Sequence, residues 1–223
     1  MTPQPGPPTL AEDLLIVLKP FGIDTEPVLV RTLAGALLAD LSLGHHVRTL
    51  PGRGGSIRVE AVTERPPADD FLRSAWELLR SHPRGVQAAL AEIGPTLISP
   101  LLPRLDRPGD SPRAGSVDPD SGGDGEAGRR VRLVSGVRGL LVDGAEAPQR
   151  IVALAALLSA SGTLRRFDPE IPWTPAVIAR AAGIERDVWE ARAVAEALTR
   201  AVAAALAGNV ILAAAVLSGS ERH

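Results

Sequence analysis

Few residues in this chain have the type and spacing that catalysis or ligand binding requires. Gly52-Arg53-Gly54-Gly55-Ser56 has the glycine content of a phosphate cradle. Such loops bind anions by running into a helix N-terminus whose N–H groups face the ligand. A β-prone run follows here instead, so the segment reads as a hairpin turn. His45-His46 is the one histidine cluster, and adjacent side chains on a strand point to opposite faces, which suits no shared metal. His82 and His223 read as a helix-end and a chain-end residue. Asp118-Pro119-Asp120-Ser121-Gly122-Gly123-Asp124 has the acids of a calcium loop. In that register Gly122 and Arg129 fall where oxygen ligands belong, so an acidic loop is the better reading. Three groups of acids remain: Glu12-Asp13, Asp69-Asp70, and Asp143 with Glu146. Each lies near an expected helix start, where a carboxylate caps N–H groups and complements the helix dipole. No Gly-x-Ser-x-Gly elbow and no nucleophile–base pair occurs. The residues therefore assign no catalytic group, metal or cofactor. Trp76, Trp173 and Trp189 are spaced as core or helix-packing residues rather than as interface anchors.

The elements that would position these residues are mostly helical. Thr9-Leu10-Ala11-Glu12 is a capping box opening a helix through Leu18 that Pro20 stops. Pro27 suits the first residue of a second helix, which ends near Leu43 before Gly44. Its side chains are apolar nearly all round, which places it at the centre of the fold. Two β-prone runs around the Gly52 turn form a hairpin closed by Pro66 and Pro67. Asp69 or Asp70 caps a helix with an apolar stripe (Phe71, Leu72, Ala75, Trp76, Leu78, Leu79), broken at Pro83. Val86 to Ile93 predicts a short helix. Pro95, Pro100 and Pro103 would distort any helix over Leu97 to Leu105. Arg129 to Val134 reads as a strand. Helices follow over Val137 to Val142, Pro148 to Ser161, Pro175 to Ala182 with Thr174 as cap, and Asp187 to about Leu217. The expected fold is mostly α, one helical domain over 9–223 around a buried central helix, with small β-hairpins. A flexible N-terminus over 1–8 and a mobile acidic loop over 109–128 complete it.

Composition narrows the function classes. The 223 residues contain no Cys, which excludes disulfides, thiol nucleophiles and cysteine-based metal sites. Net charge is −2, so any attraction to nucleic acid or an anionic membrane has to come from a local patch. The N-terminal residues lack the basic and apolar regions of a signal peptide, and a cytoplasmic location is the default. Val28 to Leu43 and Ala201 to Leu217 are apolar, but the first is short and charged and the second is Ala-rich. Both read as buried helices rather than membrane spans.

Four stretches, in order, resemble the Golgi phosphoprotein 3 family, in particular its bacterial and actinobacterial members. They are Thr9 to Leu15, Leu33 to Leu41 with the β segment after it, Leu141 to Glu146 with Arg150 and the helix Ile151 to Ala160, and Trp189 with its Ala-rich helix. The resemblance implies a non-enzymatic helical protein at the cytosolic face of a membrane, with phosphatidylinositol 4-phosphate as the eukaryotic ligand. The family pocket uses a Trp, a central-helix Arg and a later Arg-x-x-Arg pair, since guanidinium forks grip phosphate. At those positions this chain carries Thr25, Ala34, Pro95 and Ile98. The expected lipid-binding residues are instead Arg104, Arg107, Arg129, Arg130 and Arg132, which flank the acidic loop. The expected partner is an anionic, phosphoinositide-like lipid on the inner face of the cell membrane, or a protein. The rival readings are a protein-interaction scaffold without lipid binding and a winged-helix-like DNA binder, with a hydrolase behind both.

Overall fold

The capping box sets the start of the first helix, α1 (Leu10–Leu18). The Glu12 N–H donates to Thr9 Oγ1 at 3.2 Å, and the Thr9 N–H donates to Glu12 Oε2 at 2.5 Å. Leu10, Leu14, Leu15 and Val17 bury almost completely. Pro20 then turns the chain into a short 3₁₀ segment, Lys19–Phe21. The computed structural model describes residues 8–22, 27–105 and 125–200.

Helix α2 (Pro27–Leu43) is the centre of the fold. Leu33, Ala34, Ala36, Leu37, Leu38 and Leu41 are all buried, and α1, α4 and α6 pack around it. Gly35 makes that packing close. A Cβ there would sit 2.4 Å from Val194 Cγ2 and 3.1 Å from Leu157 Cδ2, so the missing side chain is what lets three helices meet. Strands β1 (Val47–Pro51) and β2 (Ile57–Ala61) form the expected hairpin, with Arg53–Gly55 as its 3₁₀ turn. Gly54 supplies the left-handed residue of that turn, at φ 64°. A two-residue strand, β3 (Arg84–Gly85), pairs with β2 and extends the hairpin to a three-stranded antiparallel sheet in the order β1-β2-β3.

Between the hairpin and β3 lies α3 (Asp70–Arg80), capped by Asp69 Oδ1, which accepts from the N–H groups of Phe71 and Leu72 at 2.8 and 3.1 Å. Its apolar stripe carries Trp76 inward, where the indole N–H donates to the His46 carbonyl at 3.1 Å. His46 Nδ1 is 2.7 Å from the Arg65 carbonyl, so this histidine serves the hairpin's closure.

Four expectations need correction. Val86 to Ile93 does not end as a short helix; α4 runs unbroken from Val86 to Leu105, through Pro95, Pro100 and Pro103. Each proline forfeits one backbone hydrogen bond and adds one steric clash. Packing against α2 outweighs these losses: a Cβ on Gly94 would lie 2.8 Å from Val30 Cγ1. Arg129 to Val134 is not a strand but part of α5 (Glu126–Arg138). The local alternation Val131/Leu133 suggested period two, yet the buried set is Leu133, Val134, Val137 and Leu141, a helical stripe. The helix expected from Val137 is the end of α5, which widens into a π-helical turn, Gly139–Asp143. Asp143 closes that turn rather than opening a helix, and pairs with Arg138 at 3.4 Å.

Helix α6 (Gln149–Ala160) is buried over Ala153 to Leu158. Helix α7 (Pro175–Asp187), capped by Thr174, runs five residues beyond its expected end at Ala182. Val188 then adopts an extended conformation and separates α7 from the last helix, α8, described over residues 189–200. The rest of the helix expected to Leu217 lies outside the described residues, as do Ala201 onward and the calcium-like Asp118 to Asp124. So does most of the acidic loop expected over 109–128; from Glu126 that stretch is already α5. Among the described residues, no helix is long and apolar enough to cross a membrane.

Candidate functional site

Asp13 and Asp40 are charged residues on otherwise apolar helix faces, and both are buried. A carboxylate survives there only with opposite charge and hydrogen bonds around it. Both come from far along the chain. Arg129 on α5 donates to Asp13 Oδ1 from Nε at 2.9 Å and Nη2 at 2.6 Å. Arg150 on α6 donates from Nε to Asp13 Oδ2 at 2.7 Å and from Nη1 to Asp40 Oδ1 at 2.9 Å. Its Nη2 also reaches the Pro8 carbonyl at 2.7 Å. The Leu10 N–H completes the set, donating to Asp40 Oδ2 at 2.5 Å. The cluster thus ties α1, α2, α5 and α6 together through two acids and two arginines.

Burial pushes the Asp40 carboxyl up to about 6; Arg150 and the Leu10 N–H oppose the rise, while neighbouring Asp13 adds to it. The cluster opens outward into a recess of about 370 Å³, lined by Asp13, Arg129, Arg132, Arg150, Leu133 and Ile151. Three guanidinium groups and one carboxylate therefore line it, with Asp40 behind. In a chain of net charge −2 this is a local concentration of positive charge.

The recess brings together two of the expected lipid-binding residues, Arg129 and Arg132. Arg130 faces elsewhere: its Nη1 and Nη2 donate to Glu170 at 3.3 and 3.1 Å, joining α5 to the segment before α7. Arg107 lies outside the described residues. Arg104 ends up in the last turn of α4; its side chain lies outside them too. Of the positions expected to match the family pocket, Ala34 is fully enclosed in α2 and has no group to offer a ligand. Pro95 is exposed on α4, where it has no N–H to donate. Ile98 is on the same helix, and Thr25 lies outside the described residues.

The sequence reading missed Asp40 and the role of Arg150. The available signal was the charge itself, since an Asp within Leu33 to Leu41 demands a buried partner. Of the other candidates, Asp69 is a helix cap, and among the described residues no group of acids and histidines could hold a metal. Trp173 departs from its expected core role and is 37% exposed.

No curated protein matches the chain in sequence. The family model of Golgi phosphoprotein 3 (GPP34), however, matches residues 10–205. That span begins at the first residue of α1 and takes in every described helix and strand. The order of elements, the buried α2 and the hairpin behind it agree with the resemblance carried by the four sequence stretches. This chain belongs to the Golgi phosphoprotein 3 (GPP34) family.

Proposed function

We propose that this protein works without catalysis, as a peripheral adaptor at an anionic membrane surface. The observation that supports the reading is the recess in which Arg129, Arg132 and Arg150 surround the single lining carboxylate of Asp13. A guanidinium fork suits a lipid phosphate. Each basic residue near an anionic surface contributes about 1 kcal/mol. All three arginines already interact within the chain, Arg129 and Arg150 with Asp13, so the attraction is modest and salt-sensitive.

Co-sedimentation with phosphatidylserine vesicles tests this. Binding is expected at low salt and should fall steeply as salt rises. Arg132→Gln should weaken it about fivefold, in line with the loss of one cation near the surface. No sedimentation at low salt refutes the reading.

A second reading has its own support. Arg129 and Arg130 are both engaged in ion pairs within the chain, and Ala34 stands where the family pocket has a cation. A family member built this way would serve as a protein-interaction scaffold, and a stable partner captured without lipid would favour it. The DNA-binding alternative loses its recognition helix. Helix α2, which precedes the hairpin, is enclosed from Leu33 to Leu41 and has no polar face for a groove.

A further inference from the structure

The Gly52–Ser56 turn does not run into a helix of its own, but the fold lays it against the start of a different one. Gly54 and Ser56 share a groove of about 650 Å³ with the beginning of α4 and one face of α8. We propose that this groove binds a phosphate monoester carried on a ring, with the phosphate at Arg192 and a face of the ring on Trp189. The groove shares no residue with the arginine recess, so the inference stands apart from the adaptor reading.

The volume falls within the range of small-molecule sites, roughly 300–1,000 Å³. Trp189 and Arg192 both line it, and three residues apart on a helix they occupy one face. Trp189 is half-buried and so fixed as a platform, while Arg192 is exposed. Among the described residues, no group forms an ion pair or side-chain hydrogen bond with the Arg192 guanidinium. The groove's one carboxylate is already answered. Glu196 takes Arg200 Nη2 at 3.7 Å and lies 3.5 Å from Gln87 Nε2, whose stronger bond, 2.9 Å, goes to the Ala193 carbonyl. The positive charge left over belongs to Arg192.

The opposite wall adds to the field. Helix α4 starts at Val86, behind a glycine that has no side chain to cap it, and its first turn holds no acid. The positive pole of this helix end favours an anion. A Cβ on Gly85 would meet nothing within 4 Å, so there is open space at that point. A phosphate monoester matches this set better than a carboxylate. It has three acceptor oxygens and about −1.5 to −2 charge, enough for a guanidinium fork and a helix pole together. The neighbouring indole selects a ring on the same molecule.

The test is a titration of the full chain, read by the Trp189 indole N–H in proton–nitrogen spectra and assigned with Trp189→Phe. AMP and glucose 6-phosphate are the soluble ring phosphates, and adenosine, glucose and inorganic phosphate are the controls. At least one ring phosphate should give a saturable shift, with its control sugar or nucleoside and phosphate each markedly weaker. Arg192→Gln should weaken that binding at least tenfold, as expected for losing a charge-assisted contact. Arg73→Gln, on the exposed side of α3 and outside the groove, should leave it unchanged. A lipid source for the same chemistry is separated by adding phosphatidylcholine vesicles that contain phosphatidylinositol 4-phosphate. Displacement of the soluble ligand assigns the lipid, and no effect assigns the soluble molecule. The proposal is overturned if no ring phosphate shifts Trp189 at about 10 mM, far weaker than any useful site. It is equally overturned if Arg192→Gln binds as the parent chain does.

Discussion

Glu190 is a carboxyl group buried on α8 beside Ser42, with only 5% of its surface exposed. Burial raises it from 4.5 to about 7, against the opposing hydrogen bonds of a backbone group and the Ser42 hydroxyl. Because the folded chain holds this proton more tightly than the unfolded one, stability is fully present below the unfolded value. It is lost as pH rises through 4.5 toward 7. A rise of this size removes about 2–3 kcal/mol between about pH 5 and pH 8. For a chain of this length that corresponds to a fall in Tm of roughly 5–10 °C. Asp40, raised to about 6 by burial, adds a smaller loss over the same range, about 1 kcal/mol. Glu190→Gln keeps the shape and a partner for Ser42 but cannot ionise. The variant should match the parent near pH 5, exceed it by about 2–3 kcal/mol near pH 8, and retain only the slope due to Asp40. Thermal unfolding followed by circular dichroism across that range measures both. A parent Tm that is flat with pH, or a variant with the parent's slope, refutes the reasoning.

Two further substitutions probe the packing. Arg150→Ala leaves Asp13 and Asp40 short of their shared cation in the interior and should cost about 3–5 kcal/mol in urea unfolding; a loss below about 1 kcal/mol would mean the cluster is solvated. Gly35→Ala places a Cβ 2.4 Å from Val194 Cγ2. It should destabilise by about 1–3 kcal/mol through overpacking of α2 against α8, and an unchanged midpoint would show that α8 yields without cost.

The sequence was most legible where a structural feature is decided within one turn of chain. The Thr9–Glu12 box, the Asp69 cap, the Pro20 and Pro83 stops and the Gly52 turn all act over a few residues, and all appear where their chemistry puts them. Helix α5 was misread because Val131 and Leu133 alternate over a short window, while the stripe from Leu133 to Leu141 emerges only over two turns. Helix α4 was cut short because proline penalties are local and the compensating contact with Val30 is not. The recess was half legible. Arg129 and Arg132 were identified as cations with a purpose, but Arg129 meets Asp13 across 116 positions of chain and Arg150 meets Asp40 across 110. Of the α8 groove the sequence singles out only the Gly52 turn and Trp189; the groove itself is assembled from that turn, a helix start and a distant helix face, which no local pattern connects.

The ionic cluster also has a consequence for how the chain assembles. Both of its acids lie before residue 106 and both of its arginines after residue 124. Neither half can bury its own share by itself: the first would enclose bare carboxylates, the second bare guanidiniums. The two halves are therefore complementary fragments that recognise each other by charge, and docking them out of register strands a charge in the interior. Final collapse is in this way conditional on correct pairing between segments far apart in sequence, which makes the cluster a checkpoint on topology as well as a contact within the finished fold.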